Sequence, residues 1–301
     1  VFNSIALNGD NPVISYSHYH DLKVAVCNDA TCSSPTITTV DSEGDVGLYN
    51  SIALTSSGNP VISYYNNTND DLKVAVCNDA TCSSPTITTV DKGGYGDVRI
   101  FTSIALTSSG NPVISYYDGT NEDLKVAVCN DATCSSPTLT TVDSEGDVGE
   151  FTSIALNSSG NPVISYYDYN NKDLKVAVCS DTDCTNTPTL TTVDSEGDVG
   201  WNTSIALNGD NPVISYYDAT YGGLKVAVCD NATCSSPTLT TVDKGEGDVG
   251  EFTSIALTSS GNPVISYYDD TNDDLKVAVC NDATCSSPTI TTVDSEGDVG
   301  S

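Results

Sequence analysis

Apolar residues in this chain fall into short runs bounded by turn-forming residues, and the same runs return in the same order. Residues 103–149, SIALTSSGNPVISYYDGTNEDLKVAVCNDATCSSPTLTTVDSEGDVG, show the pattern in full. At 103–106, Ile104 and Leu106 alternate with Ser103 and Ala105, the period of a half-buried strand. A turn follows through Ser108, Ser109, Gly110 and Asn111, where Gly and Asn tolerate positive φ. Residues 112–117, rich in β-branched and aromatic side chains, predict a second strand. After a polar loop at 118–123, a third strand at 124–129 puts Leu124, Val126 and Val128 on one face and Lys125, Ala127 and Cys129 on the other. A fourth strand is predicted at 138–142. Pro137 ahead of it has no amide to donate, which suits a sheet edge.

Close copies begin at Ser4, Ser51, Ser153, Ser204 and Ser254, so successive units start 47, 52, 50, 51 and 50 residues apart. A period of this length marks a propeller or solenoid, in which no unit buries its faces alone. Four antiparallel strands per period make a propeller blade. Packing on both faces of a blade explains why Val113 and Ile114, on opposite faces, are both apolar. The expectation is an all-β, six-bladed β-propeller of four-stranded antiparallel blades, a single domain over residues 1–301. A parallel β-helix is the rival, but its coils are shorter and lack the four-strand turn pattern. Val299-Gly300-Ser301 followed by Val1-Phe2-Asn3-Ser4 reads as one more blade junction, so ring closure is expected too.

Composition agrees. Hydrophobic residues make up 38% of 301, enough for a chain of this size to bury roughly three quarters of its unfolded surface. Methionine is absent, no sustained 3.6-residue apolar period occurs, and no run approaches the ~20 apolar residues of a membrane span. The chain starts at Val1 without a signal peptide, as a processed chain or a window of a longer one would.

All twelve cysteines form pairs with four residues between: Cys27/Cys32, Cys77/Cys82, Cys129/Cys134, Cys179/Cys184, Cys229/Cys234 and Cys280/Cys285. Each pair brackets the turn between the third and fourth strands, where facing residues reach disulfide distance. Zinc would want tighter knuckles or histidine partners, and the chain has only His18 and His20. One hairpin disulfide per blade is expected, and with it an oxidising, extracellular or cell-surface setting.

Charge narrows the partners. Ten Lys and Arg against 41 Asp and Glu leave a net charge of −31, which disfavours nucleic acid and anionic membranes. The bland account is a soluble, self-repelling surface. In a four-strand blade the second-to-third loop and the blade-to-blade loop emerge on one side, here with Asp118, Glu122, Asp123, Asp143, Glu145, Asp147 and Glu150. The other side receives Ser108–Asn111 and the disulfide turn, so one acidic face and one neutral face are expected. The junction DSEGDVG offers calcium-ligand candidates at Asp41, Glu43, Asp45, Asp143, Glu145, Asp147, Asp194, Glu196, Asp198, Asp294, Glu296 and Asp298. Alternating carboxylates around a Gly turn can wrap Ca²⁺, although solvated surface turns carry the same residues. The repeated Lys23, Lys73, Lys125, Lys175, Lys225 and Lys276 are expected to pair with carboxylates of the same or the adjacent blade.

A unique active site would have to lie where the units differ. His18 and His20 sit in a shortened loop, and Tyr95, Arg99, Tyr169, Trp201 and Tyr221 are scattered singletons. They compose no nucleophile–base–orienter set, so no catalytic residue is assigned. Asn66, Asn157, Asn202 and Asn231 begin glycosylation sequons.

Units such as SSGNPVISYYD and DLKVAVCNDATCSSPTLTTVDSEGDVG resemble the repeats of secreted or surface-anchored microbial β-propellers, and the resemblance covers the whole chain. TSSGNPV at Thr107–Val113 bears a distant likeness to Asp-box propellers such as sialidases, without the acid and Trp of that motif. With Arg99 as the sole arginine, sialidase chemistry is not expected. The resemblance and near-identical units imply a non-enzymatic extracellular structural or adhesive propeller, a subunit of a cell-surface fibre; the acidic face opposite a neutral one favours head-to-tail contact between copies. A multivalent lectin-like propeller binding glycans between blades, through Tyr116/Tyr117-type aromatics, is the alternative. An enzyme with a site at the central channel ranks third.

Overall fold

In the computed structural model of the chain, residues 2–93, 99–245, 247–297 and 299 are described. The termini that would form the expected ring junction lie partly outside them. The fold is an all-β six-bladed propeller. Its blades, residues 3–41, 46–91, 99–143, 148–194, 199–243 and 249–294, are four-stranded antiparallel sheets in sequential strand order. Contacts divide the chain into two compact units, Val1–Thr141 and Val142–Ser301. No helix is long and apolar enough to cross a membrane.

In the fourth blade the strands run Val148–Leu156, Pro162–Asp168, Asp173–Val178 and Thr189–Asp194. Three of them lie where the repeat pattern puts them. The first is longer than its apolar alternation indicates, because a β-bulge lets it continue through Gly149, Glu150 and Phe151. Phe151 adopts φ 52°, as Tyr49, Phe101 and Phe252 adopt 48°, 53° and 49°. A left-handed non-glycine costs of order 1 kcal/mol or more, and the bulge uses it to re-aim an aromatic ring. The Tyr49 and Phe101 rings lie 4.9 Å apart, and Phe151 lies 5.4 Å from Trp201.

Six disulfides form within blades as expected: Cys27–Cys32, Cys77–Cys82, Cys129–Cys134, Cys179–Cys184, Cys229–Cys234 and Cys280–Cys285. The geometry of the pairing differs from the expected one, in which the two cysteines face each other across the strands. The residue that faces the first cysteine is a proline: Cys77 is set opposite Pro85, Cys229 opposite Pro237 and Cys280 opposite Pro288. The second cysteine lies in the turn, ahead of the fourth strand. Cys32, Cys184 and Cys285 precede strands that begin at Thr36, Thr189 and Pro288. They adopt φ 52°, 52° and 56°, and Cys82, Cys134 and Cys234 adopt 55°, 56° and 52°. This left-handed residue folds the turn back on the strand end, which brings the Cα atoms to 4.7–5.0 Å.

Each described core cluster joins two consecutive blades. In the first unit Val13, Leu22, Val24 and Val40 of the first blade meet Ile52, Ile62, Tyr64, Ala75 and the Cys77–Cys82 disulfide of the second. In the second unit Val163, Leu174, Val176 and Val193 meet Ile205, Ile214, Tyr216, Ala227 and the Cys229–Cys234 disulfide. A blade therefore has an outgoing face of Val and Leu and an incoming face of Ile, Tyr, Ala and cystine. The disulfides thus supply apolar surface to the junction, a role that their spacing does not reveal.

Polar bonds fix the register between neighbours. The first serine of a unit accepts the amide of the next unit's first isoleucine: Ile52 N to Ser4 Oγ, Ile104 N to Ser51 Oγ, Ile205 N to Ser153 Oγ and Ile255 N to Ser204 Oγ, each 3.2 Å. Gly200, at φ 105°, brings its backbone against the preceding blade; a Cβ there would meet Leu174 Cα at 2.8 Å.

Candidate functional site

The residues with most chemical capacity in the repeat converge at the blade junctions. Strand pairing sets Tyr166 opposite Lys175, so both reach the same side of the fourth blade. There Asp143, at the end of the preceding blade, accepts hydrogen bonds from Tyr166 Oη at 2.6 Å, Lys175 Nζ at 2.7 Å and the Glu145 amide at 3.1 Å. Asp194 likewise receives Tyr216, Lys225 and the Glu196 amide, and Asp41 receives Tyr64, Lys73 and the Glu43 amide. Asp91 takes Tyr116 and Lys125.

A second carboxylate supports the lysine from its own blade: Asp118 lies 3.5 Å from Lys125, Asp168 3.6 Å from Lys175, and Asp218 3.6 Å from Lys225. Lys276 pairs with Asp269 at 2.5 Å. The pairing expected for the lysines is thus found in both forms, adjacent blade and same blade.

These carboxylates are buried, which raises their pKa; bonds from the lysine and tyrosine outweigh that and hold Asp143 and Asp194 below the ordinary value. Burial, with the Asp143 charge and hydrogen bond, pushes the Tyr166 hydroxyl well above its usual range.

The acids of the blade-to-blade loops, the candidate calcium ligands, take several partners. Their first carboxylate, Asp41, Asp143 or Asp194, turns into the junction. Glu43, Glu145 and Glu196 contribute backbone amides to those acids. Asp45 accepts from Asn67 at 2.8 Å and lies 2.8 Å from His20 Nδ1. Asp198 receives Tyr167 Oη at 2.7 Å, Trp201 Nε1 at 2.7 Å and Lys172 Nζ at 2.8 Å. Asp147 is a further loop acid, and Asp294, which is exposed, accepts the Glu296 amide at 3.1 Å. Asp298 lies outside the described residues. Among the described residues, no three His, Cys, Asp or Glu side chains gather into a group that could hold a metal ion.

The acidic side is also less acidic than the loop sequences imply, because Asp118 and Asp143 are buried. Glu150 is the unusual acid there: burial, with the Asp147 charge beside it, raises it to about 7.

At the disulfide turns a carboxylate organises the backbone. Asp131 accepts from Thr133 N and Oγ1 and from Ser135 N and Oγ. These bonds, led by the Ser135 hydroxyl, lower it to about 2. Asn231 does the same work in the fifth blade. The amides of Cys32, Cys184 and Cys285 close the same turns on the carbonyls of Asp29, Asp181 and Asp282. With all twelve sulfurs paired, the cysteines brace these turns and offer no thiol for chemistry.

Of the singletons, Tyr169 and Trp201 both pack on the Tyr167 ring. His18 and His20 line a cleft of about 460 Å³ with Tyr19, Asp45 and Leu48. Tyr221 lies under Lys244 Nζ at 5.3 Å, beside a cleft of about 230 Å³ lined by Glu196, Asp218 and Lys225. Tyr169 packs edge-on to Tyr167. Tyr95 and the Arg99 side chain lie outside the described residues.

Of the sequon asparagines, Asn66 is buried; its Nδ2 has no hydrogen-bond partner among the described residues. Asn157 and Asn231 bond their own turns, and Asn202 occupies the bulge at φ 50°.

No family model matches the chain, and no curated protein matches it. Solved structures resemble it at low identity. Puromycin hydrolase aligns over 95% of this chain with TM-score 0.63 and 12% identity, and the chain spans 46% of that protein. The α-L-arabinanase of Penicillium chrysogenum aligns over 97% of this chain and 92% of its own, with TM-score 0.60 and 11% identity. The Aleuria aurantia lectin aligns over 97% of this chain and 95% of its own, with TM-score 0.61 and 12% identity. These likenesses establish the propeller fold.

Proposed function

We propose that the protein is a non-enzymatic structural or adhesive propeller of the secreted or surface-anchored kind, working outside the cell as a building block of a surface fibre. One observation carries this reading: tyrosines, aspartates and lysines that recur from unit to unit bond one another across blade junctions. Tyr116, with Asp91 and Lys125, is the example, and Tyr117 is buried too. Aromatic faces that a glycan would need between blades are therefore covered. Cystines in every blade suit an oxidising, extracellular compartment.

Electron microscopy of native material tests the reading, with a glycan array run beside it. Fibres containing the chain and no glycan selectivity are the expected result. Isolated particles that bind a defined glycan would instead establish the lectin-like alternative.

A further inference from the structure

Every blade but the first carries a second buried tyrosine on its outgoing side. Tyr65, Tyr117, Tyr167, Tyr217 and Tyr268 hold this place, each set opposite the leucine of its third strand. In the first blade the same place, opposite Leu22, is Ser17. The fourth blade shows what the tyrosine does. Tyr167 lies 5.4 Å from the Trp201 ring of the next blade, and its hydroxyl donates to Asp198 Oδ1 at 2.7 Å. At the first junction Leu48 stands for Trp201, set opposite Tyr65 as Trp201 is opposite Tyr217. Asp45 stands for Asp198, each the last acid of its DSEGD loop.

The missing ring leaves room. Ser17, His18, Tyr19, His20, Asp45 and Leu48 line the cleft of about 460 Å³ at this junction, and all belong to one compact unit, Val1–Thr141. Only Tyr19 and His20 join strands Asn11–His18 and Asp21–Val26, where residues 169–172 join Pro162–Asp168 and Asp173–Val178. Both take positive φ, 49° and 71°, as a two-residue hairpin turn requires, and neither is the Gly or Asn that suits it. Strained backbone of this kind persists only where its surroundings hold it, and it gathers at ligand clamps. The Tyr19 ring, 85% exposed, packs edge-on to His18 at 4.2 Å beside the cleft.

The polar end of the tyrosine's place is intact. His20 Nδ1 lies 2.8 Å from Asp45 Oδ1, as Lys172 Nζ lies 2.8 Å from Asp198, so the carboxylate is anchored in the same way. Asp198 Oδ1 accepts two donors, Tyr167 Oη and Trp201 Nε1. Asp45 Oδ1 has one among the described residues, His20, and a carboxylate oxygen has a further lone pair for a hydroxyl.

We propose that the first junction binds a phenolic ring, which takes the place that the chain's own tyrosine fills in the other blades. The ring lies against Ser17 and Leu48, and its hydroxyl donates to Asp45 Oδ1. The carboxylate selects a hydroxyl-bearing ring over a bare one, because a hydrogen bond to a charged acceptor is stronger than one between neutral groups. A tyrosine side chain of a partner peptide and a free phenol share this chemistry. The site stands on the geometry of one junction and holds whether or not the chain builds fibres.

Calorimetric titration of the full chain with p-cresol, toluene and N-acetyltyrosine amide tests it. The p-cresol should bind, and toluene, which lacks the hydroxyl, should bind about tenfold or more weakly. Ser17→Tyr restores the residue of the other blades, so it should abolish binding and leave the unfolding midpoint at or above that of the parent. Asp45→Ala should remove the preference for p-cresol over toluene. Binding of N-acetyltyrosine amide as well assigns the site to tyrosine side chains of a partner, and binding of p-cresol alone assigns it to free phenols. The proposal is overturned if p-cresol fails to bind, if toluene binds equally well, or if binding survives Ser17→Tyr.

Discussion

Lys175 Nζ lies 2.7 Å from Asp143 on the neighbouring blade and 3.6 Å from Asp168 on its own. One ammonium thus bridges two buried carboxylates, and Tyr166 completes the shell of Asp143. Asp143→Asn keeps the shape and removes the charge that Lys175 faces. Breaking a buried pair on one side costs about 3 kcal/mol or more, so a fall of that size is expected in denaturant unfolding at pH 7. Because the folded pKa of Asp143 is depressed, its contribution is present above the ordinary carboxylate pKa and is lost as pH falls through the folded value. The variant should therefore converge on the parent in strong acid.

Asn66 stands where other blades have Asp118, Asp168, Asp218 and Asp269, and its amide nitrogen is buried without an acceptor among the described residues. Asn66→Asp replaces that donor with an acceptor facing Lys73. Relieving an unsatisfied buried group is worth about 1 kcal/mol, so the variant should unfold at higher denaturant concentration. A lower midpoint would mean that Lys73 is fully satisfied by Asp41.

Burial raises Glu150 to about 7, well above an exposed glutamate. The sign is opposite to that of Asp143. Below the unfolded pKa the group is neutral in both states and costs nothing; as pH rises towards about 7 the folded state is increasingly disfavoured. Glu150→Gln should raise the melting temperature at pH 8 and leave it nearly unchanged at pH 4, in paired thermal melts.

Gly200 combines φ 105° with an approach in which an added Cβ meets backbone Cα of Leu174 at 2.8 Å. Gly200→Ala must shift one blade against the next, and a loss of about 2 kcal/mol or more follows from backbone strain and overpacking. Gly110→Ala, also at positive φ but with open space around it, should cost less. Equal losses in the two would place the whole effect in φ.

Chelation should leave the melt unchanged. Asp41, Asp143 and Asp194, the leading acids of their loops, are already bonded to lysine and tyrosine. A midpoint lowered by EDTA would show a native-state cation acting by mass action.

The sequence by itself determined the blade. Alternation at Leu124, Val126 and Val128, turn residues at fixed offsets and Pro137 at a sheet edge are local signals, and the strands follow them. The cystine pairing was equally local, since five positions of chain can bring Cys129 to Cys134 only across one turn. That Cys32, Cys184 and Cys285 sit within the turn at positive φ was not legible, because nothing in a cysteine side chain favours the left-handed region. The lysine partners were legible as a type, because a buried ammonium needs a carboxylate, but Asp143 lies 32 positions from Lys175. Only the stacking of blades decided which of the many acids it meets. The same stacking set Asp143 against Lys175 and Tyr166 and placed cystines in the junction cores. The bulge at Phe151 escaped the alternation pattern because a left-handed residue breaks the period it is read from. Contacts within a strand or turn are written in neighbouring residues; contacts between blades depend on register and distance, which exist only once the chain has folded.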